Sequence, residues 1–309
     1  MPFPRLPGRR VTALLAAAAC TSAVLAVCGP AATAAPGAGA GAGAVASPTI
    51  TEPAAGSHGF PFQASETMPN PTLIRTDLRV PTFVVLTETD MTLHVTARQP
   101  DSATVHTWEL AGTSHADQWL LTTGQPVYER MFGKPVPPRD CGADTPPIND
   151  GPAHYSLNAA LSAVNRWMRG GPAPATGTIL SMQGNTPVRD PATGLARGGI
   201  RLPDVAVPTR TLTGQRFTEG AAALFCGLFG ATDPWNGDAD PWDTHNAGDP
   251  SNPTAPQTAE PVLRQLYPTH ADYVNKVRAS AWTSVFRGFL TPADARTIVT
   301  AAQNSTVGG

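Results

Sequence analysis

Residues 82–117 read TFVVLTETDMTLHVTARQPDSATVHTWELAGTSHAD. Thr82 to Thr87 form a continuous apolar and β-branched run, the pattern of a strand buried on both faces in a parallel sheet. The run ends on two carboxylates, Glu88 and Asp90. A second run, Thr104 to Leu110, alternates Val105, Thr107 and Glu109 with His106, Trp108 and Leu110, which places it at a sheet edge. It leads into a turn carrying His115. One strand end thus delivers an acid and the next a base.

That pairing matters chemically. Acyl transfer by a serine needs a hydroxyl, an imidazole to take its proton, a carboxylate to orient the imidazole, and donors for the oxyanion. Asp90 and His115 are candidates for the acid and the base. Glu88 is the rival acid, since in an extended segment residues two apart point to the same side. The chain contains no G-x-S-x-G turn. Its nearest approach is Gly112-Thr113-Ser114-His115-Ala116, which makes Ser114 a candidate nucleophile. Adjacent residues on a tight turn rarely aim at one point, so His115 is poorly placed to serve as its base. Ser57, in Gly56-Ser57-His58-Gly59, lies in a lead-in without elements.

Outward from this core, a helix is expected from His154 to Arg169, with Leu157, Leu161, Val164 and Met168 on one face and Gly170-Gly171-Pro172 ending it. Short strand-like pieces follow at Gly177–Met182 and Asp204–Val207. Pro268 to Gly288 reads as a helix with Tyr273, Val277, Trp282, Val285 and Phe286 on its apolar face. Thr291-Pro292-Ala293-Asp294 is a capping box opening a last helix to about Gln303. The loop TDPWNGDADPWDTHNAGDPSNPT, 232–254, gathers five aspartates with Trp235 and Trp242. Its spacing does not fit an EF-hand, so it reads as a solvated loop rather than a cation site.

The N-terminus carries Arg5, Arg9 and Arg10 before an apolar run from Val11 to Val27, then Ala32-Thr33-Ala34. This is the pattern of a secretory signal peptide cleaved after Ala34, too short for a membrane span. Ala17 before Cys20 and Val27 before Cys28 argue against a lipid anchor. Residues 35–72 are a Gly-, Ala- and Pro-rich linker and lead-in, and 73–309 form the folded domain. Removing residues 1–34 takes away three arginines and no acid, leaving 18 basic and 23 acidic side chains and a net charge of −5. No basic patch suggests nucleic acid or an anionic membrane as partner. Cys141 and Cys226 survive cleavage. In an exported protein a disulfide between them is the default, with two buried thiols as the alternative.

The phrases IRTDLRVPTFVVLTETD (74–90), ARQPDSATVHTWELAGTSHAD (97–117), INDGPAHYSLNAALSAVNRWMRGGPAP (148–174), DPATGLARGGIRLPDVAVPT (190–209), CGLFGAT (226–232), LYPTHADYV (266–274) and GFLTPADA (288–295) resemble the bacterial exported "alpha/beta hydrolase domain" family. TITEPAAGSHGFPFQAS (49–65) resembles the start of its mature domain. The resemblance implies an α/β fold: the last strands and C-terminal helices of an α/β-hydrolase sheet, with the nucleophile-bearing middle missing between Ser65 and about Pro71. It implies Asp90 as acid and His115 as base, serine-type hydrolysis of carboxylic esters or similar acyl bonds, a small ester-like substrate and no cofactor. It also implies impaired turnover, since the strand–turn–helix that bears the serine is absent. A sheet stripped of its centre would leave Phe83, Val84, Val85 and Leu86 short of partners, which predicts an exposed edge and self-association through it. Two other functions compete with this one. The first is a non-catalytic secreted binding protein using the helical C-terminal region and the Asp/Trp-rich loop. The second is a metal-dependent hydrolase, for which no H-E-x-x-H or Cys/His spacing speaks.

Overall fold

Two parallel strands form the centre of the molecule. The computed structural model describes residues 24–25, 73–77, 79–135, 147–215, 226–235 and 259–309. Strand β2 (Thr82–Thr87) pairs in parallel with β3 (Val105–Leu110), from Thr82 opposite Val105 to Thr87 opposite Leu110. A two-residue strand β1 (Val24–Leu25) lies antiparallel against Phe83 and Val84 on the other edge of β2. Beyond β3, Ile200 continues the pairing as a single parallel bridge to Leu110, and the Ala111 amide donates to the Ile200 carbonyl at 3.1 Å. β3 is an edge strand of this sheet, as its alternation predicts, yet its side chains are buried along nearly its whole length.

Side-chain alternation along β2 sorts its apolar residues onto two faces. Phe83 and Val85 join Trp108 and Leu110 against helices α3 (Ala153–Met168), α6 (His270–Phe286) and α7 (Pro292–Gln303). Val84 and Leu86 pack on the opposite face with Met91, Leu180, Leu195, Val205 and Leu212. All four apolar side chains of β2 are under 10% exposed, so the sheet has the partners that the sequence argument denied it. Trp108 holds the first face together. It is fully buried, meets Phe83 and Phe289 edge to face at 4.8 and 5.1 Å, and donates its indole N–H to the Ala175 carbonyl at 2.7 Å.

The helices differ from expectation in which residues they bury. α3 turns Ser156, Ala159, Ala160 and Ala163 inward with Val164, while Leu161 and Met168 are exposed. α6 buries Val274, Val277, Ala281 and Ser284 and leaves Trp282 and Phe286 outside. Small side chains let a helix lie close on a sheet, and a count of large apolar residues overlooks them. Asp204–Val207, expected as strand, is instead the short helix α4 (Pro203–Ala206), opened by a proline at its first position. α2 (Gln118–Phe132) and α5 (Ala259–Leu266) were not foreseen. α2 is capped by Asp117 and ended by the left-handed Gly133, and it buries none of its residues.

The strand-like piece at 177–182 reduces to a bridge at Leu180 and the hairpin of β4 (Met182–Gln183) and β5 (Thr186–Pro187). A second hairpin joins β6 (Arg210–Thr213) to β7 (Ala231–Pro234). β7 takes the first residues of the expected solvated loop. Trp235, at its end, is 3% exposed and donates to Thr211 Oγ1 at 3.0 Å, so it is a core residue. Trp242 and Asp238 to Asp249 lie outside the described residues, as do Ser57 and Cys141. Cys226 is described and buried.

Candidate active site

The acid arrives through a helix start. Thr87 closes β2 in extended conformation and caps α1 (Glu88–His94). Its hydroxyl accepts from the Asp90 amide, and the Asp90 carboxylate accepts from the Thr87 amide at 2.9 Å. This capping box, Thr87-Glu88-Thr89-Asp90, satisfies two amides that the helix start would leave unpaired. It also fixes the carboxylate in one rotamer. Asp90 Oδ2 faces Thr87, taking a second hydrogen bond from its hydroxyl at 2.8 Å. Oδ1 is left free to face the next loop.

There it meets His115. The imidazole Nδ1 lies 2.7 Å from Asp90 Oδ1, with Asp90 8% exposed. Burial pushes the Asp90 pKa up, but the hydrogen bonds from His115 and Thr87 outweigh it and hold the group below its ordinary value. The bond to Asp90 raises His115 above its ordinary value, with burial opposing. A carboxylate on Nδ1 fixes the tautomer with the proton on Nδ1, which leaves Nε2 as the basic atom. Among the described residues nothing bonds Nε2.

Glu88 stands elsewhere. In a helix, residues two apart lie about 200° apart around the axis, so Glu88 and Asp90 diverge. Glu88 is fully buried. Oε1 accepts from the Gly112 amide at 2.5 Å, and Oε2 accepts from the Gly214 amide at 3.0 Å and from Arg189 at 2.9 Å. The expectation that Glu88 and Asp90 share a side rested on an extended backbone, and the helix removes it. Glu88 ties the histidine turn to the rest of the domain. Thr89, between the two acids, completes the clamp. Its hydroxyl accepts from the His115 amide at 3.3 Å and donates to the Gly214 carbonyl at 2.5 Å. Three consecutive residues thus hold the two sides of one loop.

Gly112 makes that loop possible. Its φ is +68°, and a Cβ there would stand 2.5 Å from Val205. Ser114 follows inside the same turn, 1% exposed, with its hydroxyl bonding no described group. It is sealed against Gly230, where an added Cβ would approach the Ser114 Cβ to 2.7 Å. The structure places Ser114 beside His115 in sequence, with its side chain buried. Asp117, two residues beyond His115, caps α2 through the Leu120 amide at 2.8 Å, and burial raises its pKa.

Sequence reasoning brought Asp90 and His115 forward and missed Thr87, Thr89 and Arg189. The capping-box spelling was the available signal for Thr87. Nothing in the spacing points to Arg189. Among the described residues no cluster of His, Cys, Asp and Glu could hold a metal ion, and no helix is long and apolar enough to cross a membrane.

Two parallel strands with a carboxylate after one and a histidine after the next are compatible with the last strands of an α/β-hydrolase sheet. The match to known families agrees: residues 6–300 fit the family described as Alpha/beta hydrolase domain, and the chain belongs to it. No curated protein and no solved structure gives a significant match.

Proposed function

We propose that this protein is an exported α/β hydrolase of the serine type, with carboxylic esters or similar small acyl compounds as its substrate class and with impaired turnover. The observation that carries this reading is the 2.7 Å contact between His115 Nδ1 and Asp90 Oδ1 at the ends of paired parallel strands. With Nδ1–H held by the carboxylate, Nε2 would take the proton of a hydroxyl as its oxygen attacks the ester carbonyl. It would then return that proton to the departing alcohol. Impairment follows from the nucleophile. The chain has no G-x-S-x-G turn, and no described hydroxyl bonds His115 Nε2.

Export after cleavage at Ala34 and a Cys141–Cys226 disulfide belong to the same proposal. Cleavage there would remove Val24 and Leu25 from the edge of β2 and open Phe83 and Val84 backbone groups to self-association. The rival, a binding protein using the Asp/Trp-rich loop, loses Trp235 as a contact residue, because that side chain is buried.

A fluorophosphonate probe tests the proposal on the purified protein, with the adduct mapped by mass spectrometry. Slow labelling of one serine, abolished by His115→Ala, is expected if a nucleophile reaches the pair. A folded protein labelled at the same rate with and without His115 would remove the acid–base reading.

A further inference from the structure

We propose that a cavity of about 300 Å³ between α6 and the segment 199–206 binds a small carboxylate with an apolar body. None of its lining residues belongs to the Asp90–His115 site, so this binding function stands apart from the hydrolase reading. Two arginines line it, Arg201 and Arg287, and neither forms an ion pair with a described carboxylate. Arg201 is partly buried, and burial lowers its pKa. Its guanidinium donates to the Ala196 and Val205 carbonyls. Two of its five N–H donors are thereby used and three remain. Asp190 and Glu88 act on its charge without pairing directly with it, so the remaining donors are open to water or an anion.

The opposite wall adds donors of its own. Ser280, Thr283 and Ser284 line the cavity from one side of α6. Their hydroxyls bond no described group, not even the helix carbonyls that such residues commonly take. Ser284 is 6% exposed and lines the cavity. The floor is Phe289, 4% exposed, with the Arg287 guanidinium 5.0 Å above its ring.

Charge and shape together select the ligand. Planar guanidinium forks suit carboxylate and phosphate alike. Ile200 and Phe289 supply apolar wall that a bare phosphate would leave wet, whereas an aromatic or branched acid would cover it. Benzoate is therefore the probe, with benzamide and inorganic phosphate as controls.

Isothermal titration of the purified full chain should detect benzoate and neither control. Arg287→Gln, at an exposed position, should weaken benzoate by about tenfold or more, the loss of one charge-assisted hydrogen bond. Ser284→Val should remove a hydroxyl donor from the cavity and weaken binding similarly, with the circular dichroism spectrum unchanged. No heat from benzoate, or undiminished binding in a folded Arg287→Gln variant, would overturn the proposal. Binding of phosphate in place of benzoate would overturn the apolar part of the ligand, and equal binding of benzamide would overturn the role of charge.

Discussion

Replacing Asp90 by asparagine keeps the size of the side chain and removes its charge. The carboxylate accepts three side-chain-directed hydrogen bonds, from His115 Nδ1, the Thr87 amide and the Thr87 hydroxyl. An asparagine has one acceptor oxygen, so it must choose between the two donor sets. Facing the oxygen to Thr87 keeps two bonds and the helix cap. The amide N–H2 then points at His115, whose Nδ1 must give up its hydrogen and accept instead. The proton moves to Nε2, the atom that should be basic.

The pH dependence carries its own sign. His115 is raised in the folded state, so its contribution to stability is complete below its unfolded value, about 6.5, and is lost as pH rises through the folded value. Asp90 is lowered, so its contribution is complete above about 3.9 and is lost as pH falls through the folded value. Both are fully present between about pH 4 and 6.5. A hydrogen bond to a charged group contributes about 1.5–3 kcal/mol. His115 is 29% exposed, which puts this one near the low end. Asp90→Asn should cost about 2 kcal/mol near pH 5.5, and less as the pH rises through the folded value of His115 and its imidazole loses its charge. Urea denaturation across this pH range measures the difference, and NMR titration of His115 follows its proton. A cost independent of pH, or a His115 that titrates identically in both proteins, would refute the ion-pair reasoning.

Glu88→Gln should lower stability by about 3 kcal/mol, because it leaves Arg189 without its buried partner. It should also loosen the turn at Gly112, seen as faster exchange of the Gly112 amide. Gly112→Ala should cost at least about 2 kcal/mol, from a positive φ and a Cβ driven into Val205, and would be read as a lower urea midpoint. Trp235→Ala should cost about 3–5 kcal/mol as a core truncation, whereas Phe286→Ala, at a side chain 94% exposed, should stay within about 0.5 kcal/mol. Thermal melts of the pair separate the core residue from the surface one.

The strand pair and its cargo were legible because both rest on local signals. The run at 82–87 reads as buried strand by composition, and Asp90 and His115 follow their strands within a few residues. The helix start at Thr291 was legible too: α7 begins there, with the Thr291 hydroxyl accepting from the Asp294 amide. At Thr87 a Thr-x-x-Asp cap follows directly on an apolar strand, so the sequence pattern extends the strand through Glu88 and puts it on the same side as Asp90. α2 shows a different limit. It buries no residue and contains Pro126, so neither periodicity nor propensity marks it strongly.

What no single sequence displays is the set of contacts that hold the acid and base in register. Arg189 reaches Glu88 across 101 residues, and Gly214 reaches it across 126. These contacts explain how a short parallel pair can hold Asp90 against His115. In a wide parallel sheet, neighbouring strands fix where each strand end points. Here Glu88, Thr89 and Asp90 each grip the neighbouring loops directly, through Gly112, the His115 amide and the His115 ring. Glu88 and Thr89 also anchor to Gly214. The aim of the imidazole therefore rests on one turn of helix and one buried ion pair, which makes Glu88 a positioning residue for His115 even though it never faces it.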